Sequence, residues 1–307
     1  MLKLLNNKTF ILASAFIAGL LFGEAADFLS FLTLPALALV LTVSSTQVTF
    51  KDFTPPGRML RPLSLAFAFN YLLLSSVIIF LAWWLMPSED LWIGYVLLAA
   101  APPGIAVVPF TYVLKGDIRI SLIGTFGVYL LSILLTPIII FLFTGAAEVS
   151  PLRLVSTMVQ LILIPFFLAQ VLRKTFLNNF IAKIRSNIIN WGFFIVIFTV
   201  VGVNSEVFLS KPEVLLPVSV VAIISSFGLG IGVELVSKIL KLPKAEGKSL
   251  MLLSSIKTSA FASAVALSLF SREAAIPGAV ISAWYALYFI FLGIKGERQK
   301  KVPHLKQ

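Results

Sequence analysis

A single charged side chain, Lys257, stands in an otherwise uncharged stretch from Leu250 to Leu269, among the hydroxyls of Ser254, Ser255, Thr258 and Ser259. Two chemistries are open to an ammonium there. It can stay charged as a fixed counter-ion to an anion, or desolvation can favour the neutral amine, which then loads and releases a proton. A lysine near a bilayer centre costs roughly 2.5–3.5 kcal/mol on insertion scales, so it faces a cavity or a partner rather than lipid. Snorkelling to an interface is the bland alternative, and Lys257 sits too far from either end of the stretch for it. A second constellation is Ala101-Pro102-Pro103-Gly104-Ile105-Ala106-Val107-Val108-Pro109, followed by Thr111 and Tyr112. Prolines lack amide protons and disfavour helix at the preceding residue, and Gly104 permits unusual dihedrals, so a helix should break here. Asn70 is read as facing Lys257. Glu234 is the only acid inside an apolar segment other than Glu24 at the very end of the first; it is placed to pair with Lys238 four residues on, and the alternative is a proton relay with Lys257.

Other chemistry is missing. The chain has no cysteine, its single histidine is His304, and no apolar segment carries paired carboxylates. Nothing suggests a metal, a cofactor or a nucleophile, so an intramembrane enzyme is disfavoured. Gly228, Gly230 and Gly232 are spaced Gly-x-Gly-x-Gly inside an apolar run, where they read as a helix-packing face and not as a dinucleotide loop.

These groups need elements to hold them. Of 307 residues, 59% are hydrophobic and 12% charged, against roughly 25% charged in ordinary soluble domains. The chain reads as an all-α polytopic membrane protein. About 20 apolar residues cross a bilayer core, and the polar clusters leave ten segments, near 9–24, 28–46, 63–85, 91–114, 120–144, 152–172, 187–204, 214–237, 250–269 and 275–294. The start, with Lys3, Lys8 and Gly-Glu-Ala-Ala, has features of a signal peptide. Removing it would leave nine segments and spoil the charge pattern.

With the N-terminus inside, the inner segments hold twenty of the 24 Lys and Arg residues, the outer loops hold only Arg153, Lys211 and Arg272, and Lys257 is the remainder. Both termini are therefore expected to be cytoplasmic. The net charge of +11 then belongs to inner loops beside anionic lipid, and nucleic acid is not an expected partner. Ten segments divide into two halves of five, 1–149 and 150–307, and an odd number per half inverts the second half relative to the first. The fourth segment of each half is the unusual one. Irregular backbone at membrane depth is tolerated where it lines a cavity, so the two breaks mark a binding site.

The motifs resemble those of the bile acid:sodium symporters and, more distantly, of the arsenite and auxin carriers. Ala101 to Ala106 with Phe110 to Asp117, Leu134-Leu-Thr-Pro137, Ser254 to Ala266, and Ile276 to Trp284 carry the resemblance across nearly the whole chain. It implies a panel domain from segments 1, 2, 6 and 7 (about 9–46 and 152–204) and a core domain from segments 3–5 and 8–10 (about 63–144 and 214–294). Segments 4 and 9 would cross near the midplane, with Gln160, Gln170 and Asn190 available to line the panel side of a cavity. It also implies a bacterial inner membrane and sodium-coupled uptake of organic anions. The ion-binding residues depart from the family pattern. Val107 and Val108 stand where the family has Ser-Asn, Leu253 at a glutamate position, and Asn70 and Lys257 at glutamine positions. Ser121 and Thr125 keep the hydroxyls of segment 5. Both sodium sites are expected to be lost, because an ammonium at Lys257 is a tethered cation that disfavours a second one beside it.

A transporter of an organic anion, bile-acid-like or smaller, working by alternating access without sodium is the first expectation. The rivals are a non-transporting receptor on the same fold and a sodium-coupled symporter with rearranged sites. The absence of cysteine argues against arsenite export. Substrate identity, flux direction and oligomeric state are not fixed by sequence.

Overall fold

A computed structural model describes residues 8–46, 57, 59–145 and 151–301. Lys3, Lys51, Arg58 and Lys306, counted in the charge reading, and the single histidine, His304, lie outside these residues. Among the described residues the chain is helical throughout, apart from one isolated antiparallel bridge between Pro103 and Lys257. Six helices are long and apolar enough to cross a membrane. They are α3 (Leu60–Leu85), α6 (Ile118–Thr144), α7 (Val155–Arg173), α8 (Leu177–Gly202), α9 (Pro212–Ile239) and the run Glu273–Gly296, most of which belongs to α12 (Ile276–Lys301). Two shorter apolar helices, α1 (Lys8–Leu21) and α2 (Ser30–Ser45), precede them.

Four further elements are half-length. α4 (Glu89–Ala100) stops before the proline pair and α5 (Val107–Leu114) resumes after it; α10 (Lys244–Leu253) stops before Lys257 and α11 (Ser259–Leu269) resumes after it. At 1.5 Å per residue each is only about 12–18 Å long, roughly half the thickness of a bilayer core. α4 begins on Ser88, whose side chain accepts from Leu91 N, with Glu89 and Asp90 in the first turn at the positive end of the helix dipole. Asp117 caps α6 in the same way, accepting from Arg119 N and Ile120 N. The middle of α3, Ala68–Ser75, widens into a π-helix that presents Asn70, Tyr71 and Ser75 inward.

Packing gathers α1, α2, α7 and α8 on one another, and α3, α4, α6, α9, α10, α11 and α12 in a second set. Of the three glycines expected to form a packing face on α9, only Gly230 meets another helix, at Tyr288; Gly228 faces its own helix and Gly232 open space. The two-residue spacing turns Gly230 by about 200° from Gly228, while Gly232 comes back to within about 40° of Gly228, so the three cannot share one face.

Candidate functional site

The breaks meet as a short two-stranded crossing. Gly104 N donates to Ile256 O at 3.0 Å and Thr258 N to Pro102 O at 3.0 Å, while Thr258 Oγ1 donates to Pro103 O at 2.8 Å. Prolines cannot donate, so the carbonyls of Pro102 and Pro103 are the groups left to pair, and Thr258 takes both. Gly104 was read as permitting unusual dihedrals; its φ is not positive. It is needed for space, since a Cβ there would lie 2.5 Å from Ile256 Cγ2 and 3.0 Å from Lys257 O.

Lys257 is 1% exposed. Its Nζ donates to Ala99 O at 2.8 Å and Ala101 O at 2.7 Å, and lies 4.2 Å from the centre of the Tyr71 ring. These carbonyls form the C-terminal end of α4, where the helix dipole is negative and the last carbonyls lack helical partners. Neighbouring groups complete the cap. Ser75 Oγ donates to Ala99 O, and Tyr71 OH and Thr136 Oγ1 both donate to Ala100 O.

Asn70, expected to face Lys257, is turned to backbone instead. Its Nδ2 donates to Leu253 O at 2.8 Å and Ile256 O at 3.4 Å, carbonyls freed where α10 ends. Ser254 Oγ and Ser255 Oγ both donate to Met251 O, closing the same helix end, and Tyr288 OH donates to Ser255 Oγ. Replacing Asn70 with leucine leaves Leu253 O without this donor. We expect the variant to lose about 1–3 kcal/mol of stability, read as a lower thermal midpoint in detergent; an unchanged midpoint would remove Asn70 from the support of the break.

The other expected residues divide. Thr111 Oγ1 donates to Val107 O at 2.8 Å and pairs with Ser121 Oγ at 2.7 Å, so these hydroxyls are engaged with one another. Thr125 Oγ1 is buried with no hydrogen-bond partner. Val107, Val108 and Leu253 are buried and offer no side-chain oxygen. Ser259 Oγ pairs with Ser282 Oγ at 2.8 Å. Tyr112 is 61% exposed. Glu234 forms the expected i,i+4 pair with Lys238 at 3.2 Å and also an ion pair with Lys295; no ion pair joins it to Lys257 among the described residues. A carboxylate held by two ammoniums near a helix end is poorly placed to trade protons with Lys257.

Sequence reasoning missed the tyrosines. Tyr71 and Tyr129 hydrogen-bond Ala100 O and Thr258 Oγ1, and Tyr285 OH accepts from Lys257 N at 2.8 Å. A phenol deep in an apolar segment needs a hydrogen-bond partner, and that was the available signal. A cavity of about 60 Å³ adjoins the crossing, walled by Leu12, Phe193, Ile197 and Phe289 and floored by Lys257 to Ala260 with Ser282 and Tyr285. A larger one of about 670 Å³ lies between α2, the start of α7 and the end of α11, and includes Gln160. Asn190 is bonded within α8 to Ser186.

The model of the sodium bile acid symporter family matches residues 34–211, more than half of the chain. The chain belongs to this family. It is accordingly an integral, multi-pass membrane transporter and not an enzyme, with the lipid bilayer and a small substrate as its partners. The family match ends before Lys257. A relative, the uncharacterized sodium-dependent transporter YocS of Bacillus subtilis (strain 168), is 29% identical over 224 residues, covering 71% of this chain and 68% of that protein.

Proposed function

We propose that the protein is a secondary transporter of a small organic anion, a carboxylate, that works by alternating access without sodium. Its frame is ten segments in two inverted repeats, 1–149 and 150–307, with both termini on the cytoplasmic side of a bacterial inner membrane. The set α1, α2, α7 and α8 acts as the panel and the rest as the core. The observation that carries the reading is the seating of Lys257 Nζ on Ala99 O and Ala101 O. Two carbonyls and one ring face give three acceptors, matching the three N–H donors of an ammonium, whereas a neutral amine has only two. Between the two uses left open by the sequence, this favours the fixed cation over the proton carrier.

Sodium needs a set of hard oxygens. Here Ala99, Ala101, Leu253 and Ile256 already accept from Lys257 and Asn70, and an ion beside the ammonium would meet its charge. The anion would lie at the starts of α5 and α11, where two positive helix ends face the crossing. The 60 Å³ cavity is far below the roughly 300–1,000 Å³ of drug-sized ligand sites, which supports a compact carboxylate over a sterol-sized one. Substrate flux in proteoliposomes should agree within about twofold in sodium or choline buffer; strong stimulation by sodium would overturn the reading. The sodium-coupled alternative draws on the unpartnered Thr125 Oγ1 and on the name of the Bacillus relative, and the same measurement decides it. Absence of counterflow for a ligand that binds would favour a receptor instead.

A further inference from the structure

Two firmly mounted charges meet at the membrane end away from Lys115. Asp27 lies on the short helix Gly23–Phe28, which packs against α8, and the start of α2 after it is pinned where Thr33 Oγ1 meets Thr199 Oγ1 at 2.9 Å. Arg272 lies in the turn between α11 and α12. That turn is tied to the start of α4 on both sides of the arginine: Ser271 Oγ donates to Asp90 Oδ1 at 2.6 Å, and Ser88 Oγ donates to Glu273 Oε1 at 2.6 Å. Between these mounts Arg272 reaches out of one helix set to the other. One guanidinium nitrogen donates to both carboxylate oxygens of Asp27, at 2.8 and 3.1 Å.

The position matters because the 670 Å³ cavity opens beside it. Leu34 and Pro35, soon after Asp27, and Ser268 and Leu269, just before Arg272, line that cavity from its two sides. We propose that Asp27 and Arg272 form an electrostatic latch that holds the two helix sets together at this face and opens once per transport cycle. This rests on the alternating-access reading, in which the two sets move against each other. The partners are 47% and 61% exposed, so the pair is water-screened and contributes only about a two- to fivefold bias between closed and open forms. A bias of that size suits a moving contact. A buried pair would resist opening, since separating it leaves uncompensated charge in a low dielectric.

The absence of cysteine allows a clean test. Thr157→Cys places a sole thiol at a buried point of the cavity wall, and its rate of labelling by a hydrophilic maleimide is followed in lipid nanodiscs. Arg272→Gln and Asp27→Asn should each raise the rate about two- to fivefold. The reversed pair, Asp27→Arg with Arg272→Asp, should return it to that of the parent. Molar salt should speed the parent and leave Arg272→Gln unchanged. Unchanged rates in both single variants, or a reversed pair as fast as the singles, would overturn the latch. Counterflow in proteoliposomes separates this from the transport reading: intact counterflow with flat labelling defeats the latch alone. The expected labelling pattern without counterflow keeps the latch as a contact between the sets and defeats transport.

Discussion

Lys257→Met is expected to reduce carboxylate counterflow by about 30-fold while leaving the protein folded. The stem keeps its volume and apolar contacts, so packing is largely conserved. Ala101 O loses the ammonium, whereas Ala99 O retains Ser75 Oγ. An orphaned buried acceptor costs about 1–3 kcal/mol, partly offset because a buried charge and its desolvation penalty disappear. Function has no such offset. A carboxylate about 8 Å from a full positive charge gains about 2 kcal/mol at an effective dielectric of 20, and losing that is about a 30-fold change in binding. Lys257→Gln adds the pH arm: uptake driven by a pH gradient that survives in this variant would exclude a proton on Lys257. Wild-type counterflow in Lys257→Met would remove the ammonium from the mechanism altogether, whatever the stability change.

The crossing was legible in the sequence where a residue carried a cost that only one arrangement relieves. The adjacent Pro102 and Pro103 cannot continue α4, whereas Pro109 is accommodated in the first turn of α5, and a lone lysine cannot face lipid; both features mark the places where α4 and α10 stop. What holds those ends was not legible, because the acceptors are main-chain carbonyls freed by the breaks themselves. Asn70 illustrates the difference. Its type announced a buried hydrogen bond, but Leu253 O and Ile256 O become available only once α10 has ended. The π-helical widening of α3 that turns Asn70 toward them has no simple sequence mark. Glu234 divides the same way: Lys238 follows from helical spacing, whereas Lys295 comes from an element 61 residues on. Gly104 was singled out for the wrong property, since a glycine chosen for room and one chosen for dihedral freedom are the same letter.

That distinction yields the second large effect. Gly104→Ala is expected to abolish transport, although φ there is not positive and alanine meets no left-handed strain. The new methyl would sit 2.5 Å from Ile256 Cγ2 and 3.0 Å from Lys257 O, so one of the two crossing segments must retreat. Retreat is obstructed on both sides. Gly104 N is bonded to Ile256 O, and Thr258 clamps Pro102 and Pro103 through its amide and hydroxyl. Overpacking of this kind costs about 1–3 kcal/mol, and any shift of Lys257 also disturbs its seat on α4. Ile256→Ala removes the nearer obstacle. The double variant should therefore recover much of the thermal midpoint lost by Gly104→Ala, with a coupling of about 1 kcal/mol or more in a double-mutant cycle. If glycine were needed there for conformation, truncating Ile256 could not help and the two changes would simply add. Recovery of stability without recovery of counterflow would place the requirement on Lys257 O, the contact that Ile256→Ala leaves in place.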